Sequence, residues 1–398
     1  MFRFAYTLGA TSALILGLSG CVPPADREGM ESATPAQVDV EPSSPPRREV
    51  SPLELARLRV VQTKRELQQI SSDPEFNGYE KIVKLAKDGT PSSGLKEAQL
   101  LSLMSAVEKP VVSAPLRVKE TGVVDVPSSA DFVAVISALA RVPQTMAQNP
   151  NFEERIRADL AILTAGRKVA RESRVMAHYR AGLKVQEAAL EDLAQIIKGG
   201  ALSAEDLRGL IAALQMEVSS PQELVKVLDT EYLLACRELV RDVSDPVARE
   251  REENALAARY LKMRSYFAED KPPAGGFVFN DVLPESQGCE WVQSRPDFMV
   301  DLGRSREAAT TLASVELQAA LAAYRLEKGT YPESLEKLVP VYLTRVPPNT
   351  LVKDGAFDYQ PTGASYRLEF STSPLSSSSP STPSPGSPKP SSTPERKP

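Results

Sequence analysis

Between residues 129 and 268 apolar side chains return every three or four positions, segment after segment. That spacing commits the chain to packed helices. Phe132, Ile136 and Leu139 mark one helix, and Phe152, Ile156, Leu160 and Leu163 the next. Met176, Tyr179, Leu183, Leu190, Leu193 and Ile197 form a long stripe that Gly199-Gly200 ends. Ser203 opens a helix with Leu207, Leu210, Ile211 and Leu214 on one face. Ser220-Pro221 opens another, with Leu224, Leu228, Ala235 and Leu239 inward, and a charged helix follows Pro246. Helices joined by such short loops pack as antiparallel hairpins. Aromatics at 6% and a single Trp fit this better than an all-β fold.

Before this block, Ser51-Pro52-Leu53-Glu54 carries the signature of a capped helix start. Leu53, Ala56, Val60, Leu67 and Ile70 then make an amphipathic face. Residues 71–128 are patchier, with a helix near 94–108 and an extended stretch over 110–127. After the block, residues 270–302 read as a crossing loop rich in Pro and Gly. A last helix is expected over 304–328, facing inward through Leu312, Val315, Ala319, Ala322 and Leu326. Gly329 ends it and Pro332 prevents its continuation. Phe357-Asp358-Tyr359 and Tyr366-Arg367-Leu368 flank a turn and predict a β-hairpin. Tyr324, Tyr331, Tyr359 and Tyr366 are expected to pack this end together. The expected fold class is mostly α: antiparallel helical hairpins, a small C-terminal α+β module and disordered ends.

The ends differ in composition. Residues 22–52 hold 7 of the 33 prolines and residues 373–398 hold 8, so the globular part lies between them. Residues 1–21 join one Arg, an apolar run from Phe4 to Leu18, and Leu18-Ser19-Gly20-Cys21. The run is too short to span a bilayer as a mature helix. Small residues before a cysteine, directly after such a run, resemble the lipobox of bacterial lipoproteins. The resemblance implies cleavage before Cys21, a diacylglyceryl group on the Cys21 thiol and an acyl chain such as palmitate on its amine. Two or three chains hold a protein stably at a membrane where one does not. Val22, in place of the Asp that retains such proteins at the inner membrane, implies an outer-membrane location facing the periplasm. The expected organisation is a signal peptide at 1–20, a tether at 21–50, a helical domain at 51–302, a helix-and-hairpin module at 303–371 and a Ser/Pro-rich tail at 372–398.

The run Ala322-Ala323-Tyr324-Arg325-Leu326-Glu327-Lys328-Gly329-Thr330-Tyr331-Pro332 resembles the helix-to-loop junction of type II secretion pseudopilins. The likeness covers about residues 305–371 and implies a local fold only. The prepilin cleavage motif is missing from residues 1–21, and Ser305–Lys328 is amphipathic rather than apolar throughout. Ala201–Arg208 and Glu231–Leu239 are similar to bacterial envelope proteins that place helical hairpins before this same module. That similarity implies architecture and no activity.

Little else points to chemistry. A net charge of −5 argues against a nucleic-acid partner. His178 is the single histidine, which rules out a multi-histidine metal site, and it reads as a surface or half-buried residue. Glu153-Glu154 and Glu252-Glu253 read as solvated helix faces, because sequence neighbours on a helix do not face each other. Gly275-Gly276 has no P-loop lysine beside it. No catalytic residue, metal or cofactor is expected. Beyond Cys21, Cys236 and Cys289 remain, and in an oxidising compartment they can pair. The loop they close would contribute roughly 4 kcal/mol in the chain-entropy picture. The reading is of a lipid-anchored, non-enzymatic envelope scaffold. The alternatives are an accessory component of a secretion or pilus-like machine, and an envelope hydrolase. The expected partners are the membrane, through Cys21, and envelope or secretion proteins.

Overall fold

A computed structural model describes residues 50–87, 95–115, 117–118, 124–125, 129–147, 151–215, 222–269, 298–351 and 355–369. The signal-peptide, tether and tail readings, Cys21 and Cys289 lie outside these residues. The described part is mostly α with a small antiparallel hairpin at its C-terminal end, as the periodicity predicts.

Ser51 caps α1 (Pro52–Gln68), its hydroxyl accepting from the Glu54 amide at 3.2 Å. The patchy region holds α2 (Tyr79–Lys87), which the spacing does not announce, and α3 (Glu97–Val107). Two short strands follow, β1 (Arg117–Val118) and β2 (Val124–Asp125), paired antiparallel inside the stretch expected to be extended. Next come α4 (Ser129–Leu139), α5 (Val142–Met146), α6 (Phe152–Glu172), α7 (Met176–Lys198) and α8 (Ala204–Gln215). Ser203 and Asp206 cap α8 reciprocally: the Ser203 hydroxyl accepts from the Asp206 amide and the Asp206 carboxylate from the Ser203 amide. The series ends with α9 (Gln222–Asp242), α10 (Pro246–Glu269) and α11 (Phe298–Lys328).

The helices form hairpins, the most extensive being α6 with α7, and α9 packs on α10. The buried residues fall into two clusters. One gathers side chains from α2 to α8, the middle of α11 and the C-terminal segment. The other gathers α1, α9 and α10 with the first turns of α7 and α11. Two long helices run through both. Met176, Tyr179 and Leu183 of α7 serve one cluster and Val185, Leu190 and Leu193 the other. On α11, Leu302 and Ala308 serve one and Ala313–Ala323 the other. At 31 residues α11 is about 46 Å long, enough to span both layers.

Three expectations change in space. The last helix starts at Phe298, not near 304: Gly303 lies inside it, and its first turn is held by Asp301, which accepts from Arg180 Nε at 2.7 Å and Nη2 at 2.6 Å. The expected inward stripe of α11 is too narrow. Because α7 and α8 both pack on this helix, Leu317, Ala320, Leu321 and Ala323 are buried with Val315 and Ala319, whereas Leu312 and Ala322 are half-buried and Leu326 is 56% exposed beyond the packed region. A charge at Leu326 therefore stays in solvent. On α6, Phe152, Ile156 and Leu160 are only half-buried, and the enclosed face runs instead through Arg155, Asp159, Ile162, Gly166 and Val169.

The C-terminal segment closes on α11 as expected. Gly329 adopts φ 78°, which frees the chain to leave the helix. A 3-10 turn over Leu335–Leu338 buries Leu335 and Leu338. β3 (Asp358–Pro361) and β4 (Tyr366–Glu369) then pair antiparallel, Tyr359 opposite Leu368 and Pro361 opposite Tyr366. A two-stranded hairpin is marginal alone, and a tyrosine cluster supports this one. Tyr331 meets Tyr366 edge-on at 4.8 Å, and the Tyr359 hydroxyl donates to the Pro332 carbonyl at 2.7 Å.

Candidate functional site

The groups whose chemistry is most perturbed sit inside the helix layers. At the α6–α7 contact, Asp159 is 0% exposed and neither of its carboxyl oxygens receives a hydrogen bond. Beside it, Asp192 accepts from Arg155 Nη2 at 2.9 and 3.1 Å. Burial, then the neighbouring Asp192 carboxylate, push the Asp159 pKa up to about 9, against a smaller pull from Arg155. Asp159 is therefore a neutral acid at pH 7, able to donate to Asp192. One Arg thus balances one carboxylate, and the second acid keeps its proton. Sequence reasoning missed this group. Four residues after Arg155, Asp159 reads as a solvated i,i+4 partner, whereas Arg155 turns to Asp192 on the next helix.

His178 is a core residue, 2% exposed, not the surface or half-buried histidine expected from its neighbours. Its ring lies 4.3 Å from that of Phe132 and 5.7 Å from that of Tyr79, and its Nε2 has no hydrogen-bond partner. Burial pulls its pKa down to about 4, so it is neutral at pH 7. Cys236 lies on α9, half-buried, against the other cluster. Burial is also the chief cause that pushes its thiol up to about 11, which leaves a poor nucleophile at neutral pH. The structure does not bring Cys236 and His178 together. Cys289, expected to pair with Cys236, lies outside the described residues.

The acidic dipeptides divide. Glu153 is exposed and pairs with Arg157 on its own helix, as a solvated face should. Glu252 is 5% exposed, which corrects the solvated reading, and Glu253 accepts from Arg57 Nη2 of α1 at 2.8 Å. The reason is that α10 packs on both α9 and α1, which cover this part of the charged run. Among the described residues no group of three or more His, Cys, Asp or Glu converges as a metal site, and no helix is long and apolar enough to cross a membrane.

Among the described residues, a groove lies at the surface between α1 and α10. It encloses about 390 Å³ and is lined by Leu55, Leu58, Arg59 and Gln62 on one side and Leu261, Arg264 and Ser265 on the other. Its cations are held in place. Arg59 Nη1 donates to Gln62 Oε1 at 2.9 Å, and Arg264 Nε donates to Asp229 at 3.0 Å, where the Tyr260 hydroxyl also donates at 2.6 Å. An apolar floor with anchored guanidinium groups can bind; it holds neither a nucleophile–base pair nor a carboxyl pair. No protein-family model, no curated protein and no solved structure matches the chain. The site is therefore read from its own geometry.

Proposed function

We propose that this protein is a lipid-anchored component of a bacterial cell envelope, held through Cys21 at the outer membrane and facing the periplasm, with its helical body acting as a non-enzymatic interaction scaffold. The observation that carries the reading is Leu18-Ser19-Gly20-Cys21 at the end of a short apolar run. The helical body supports it in a different way. Its perturbed groups Asp159 and His178 are buried in the helix layers, and among the described residues an open groove lies between α1 and α10.

The decisive experiment is metabolic labelling with a fatty-acid probe in a bacterial host. Wild-type protein is expected to take up label and Cys21→Ser to take up none, because the thioether needs the thiol. An unlabelled wild-type protein would overturn the anchor. A second reading, an accessory component of a type II secretion or pilus-like system, draws support from the Gly329 helix stop followed by the 3-10 turn and hairpin. Crosslinked pull-downs from intact cells separate the two readings. Secretion-machine subunits recovered with the wild-type chain would favour the second, and their absence the first.

A further inference from the structure

We propose that the outer face of α1, with the adjoining groove, is a contact surface for an anionic phospholipid membrane. The inference rests on the envelope reading for the presence of a membrane and adds what the body does when it arrives there.

Leu55, Leu58 and Val61 follow at three-residue steps on one side of α1 and are all exposed, Leu58 by 62%. These are the large apolar residues that α1 spends on solvent, while Leu53, Ala56, Thr63 and Leu67 face the core. Around them α1 carries Arg57, Arg59, Lys64 and Arg65 against two carboxylates, Glu54 and Glu66. The helix is locally cationic in a chain of net charge −5. Two carboxylates of the neighbouring helices that face this side are engaged: Glu253 accepts from Arg57, and Asp229 accepts from Arg264. Glu66 itself accepts from Arg174 and Gln62. Apolar residues on one side with basic residues flanking them are what an interfacial helix needs to insert shallowly and attract anionic headgroups.

The length of chain before α1 points to the same partner. About 30 residues separate Cys21 from the start of α1. A random coil of that length would have an r.m.s. reach of roughly 30 Å. Of the described elements, α1 is the first that such an anchor would deliver to the bilayer. There, a weak intrinsic affinity is multiplied by the high local concentration.

The test uses the chain from residue 21 onward with Cys21→Ser, so that no lipid is attached, and measures co-sedimentation with vesicles. Binding to phosphatidylethanolamine–phosphatidylglycerol vesicles is expected, weakened by salt and weaker on phosphatidylcholine vesicles. Leu58→Asp together with Leu55→Ser should lower partitioning about tenfold or more, and Arg59→Glu should lower it on the anionic vesicles alone. Leu55 and Leu58 are exposed, and half-buried Arg59 bonds Gln62 of its own helix, so the variants are expected to keep the wild-type circular dichroism. Equal sedimentation of wild type and the double variant, or none by the wild type, overturns the proposal. So does a wild-type dimer that Leu58→Asp dissociates in sedimentation velocity without any vesicle binding, which would give the face to a second copy. Because the test protein carries no acyl chain, a failed labelling of Cys21 and a failed vesicle assay are separate results.

Discussion

Gly182→Ala is expected to destabilise the protein by about 3–5 kcal/mol, enough to threaten folding of a marginally stable chain. A Cβ on Gly182 would lie 2.6 Å from the Gly166 carbonyl oxygen and 2.7 Å from the Ala170 amide nitrogen. Both are backbone atoms of α6, so no side chain can step aside, and α6 and α7 would have to separate along the most extensive hairpin of the fold. Gly166→Ala is expected to cost less. Its Cβ would meet the Gly182 carbonyl oxygen at 2.8 Å and the Val185 methyl and Cβ at 2.8 and 2.9 Å, so one backbone atom stands in the way rather than two. Gly209→Ala is the control. It lies on the exposed side of α8 with nothing within 4 Å, and there the substitution should stabilise by about 0.5–1 kcal/mol through helix propensity. Denaturant unfolding of the three variants reads the ordering. A Gly182→Ala protein as stable as wild type would mean that the two helices do not cross this closely.

The second large effect is a gain. Asp159→Asn should raise stability by several kcal/mol at pH 8, up to about 6 from the full linkage, and change it little at pH 4. The folded-state pKa of Asp159 is raised from 3.8 to about 9. Across that window the folded protein holds a proton that the unfolded chain has released. The contribution of this group is therefore fully present below pH 4 and is lost as pH rises towards 9, so stability falls with pH. An Asn side chain has the same shape, carries no charge and can donate to Asp192, so it removes the slope and keeps the Arg155–Asp192 pair. Unfolding free energies measured at several pH values decide this. A variant that is less stable than wild type at pH 8, with the wild-type pH slope intact, would show that Asp159 is ionised in the fold.

Much of the architecture was legible because one-sided helices write their burial into their spacing. The stripe Met176, Tyr179, Leu183, Leu190, Leu193 and Ile197 is buried throughout α7, and Leu207, Leu210, Ile211 and Leu214 are buried on α8. Ser51, Ser203 and Gly329 mark helix ends through local hydrogen bonding and backbone freedom, which need no distant partner. The spacing failed where a helix is covered on more than one side. On α11 the contacts of α7 and α8 bury residues beyond any single stripe. On α10, covered by α1 and α9, the charged run hides the buried Glu252.

The candidate sites were less legible for the same reason. Nothing local distinguishes Asp159 from a solvated acid; its state depends on a carboxylate 33 positions away on another helix. Nothing around His178 announces Phe132 and Tyr79, which reach it from other helices. Leu55, Leu58 and Val61 fall off the apolar face read from the spacing, and the packing of α1 on α9 and α10 leaves them outside. By itself the sequence determined most of the helices, several of their ends and the C-terminal hairpin, because these follow from the period of apolar residues and from hydrogen bonds within a few positions. Tertiary structure alone decided which charges are enclosed, which glycines touch and which leucines remain in water, because those properties belong to surfaces that exist only once helices distant in sequence have packed.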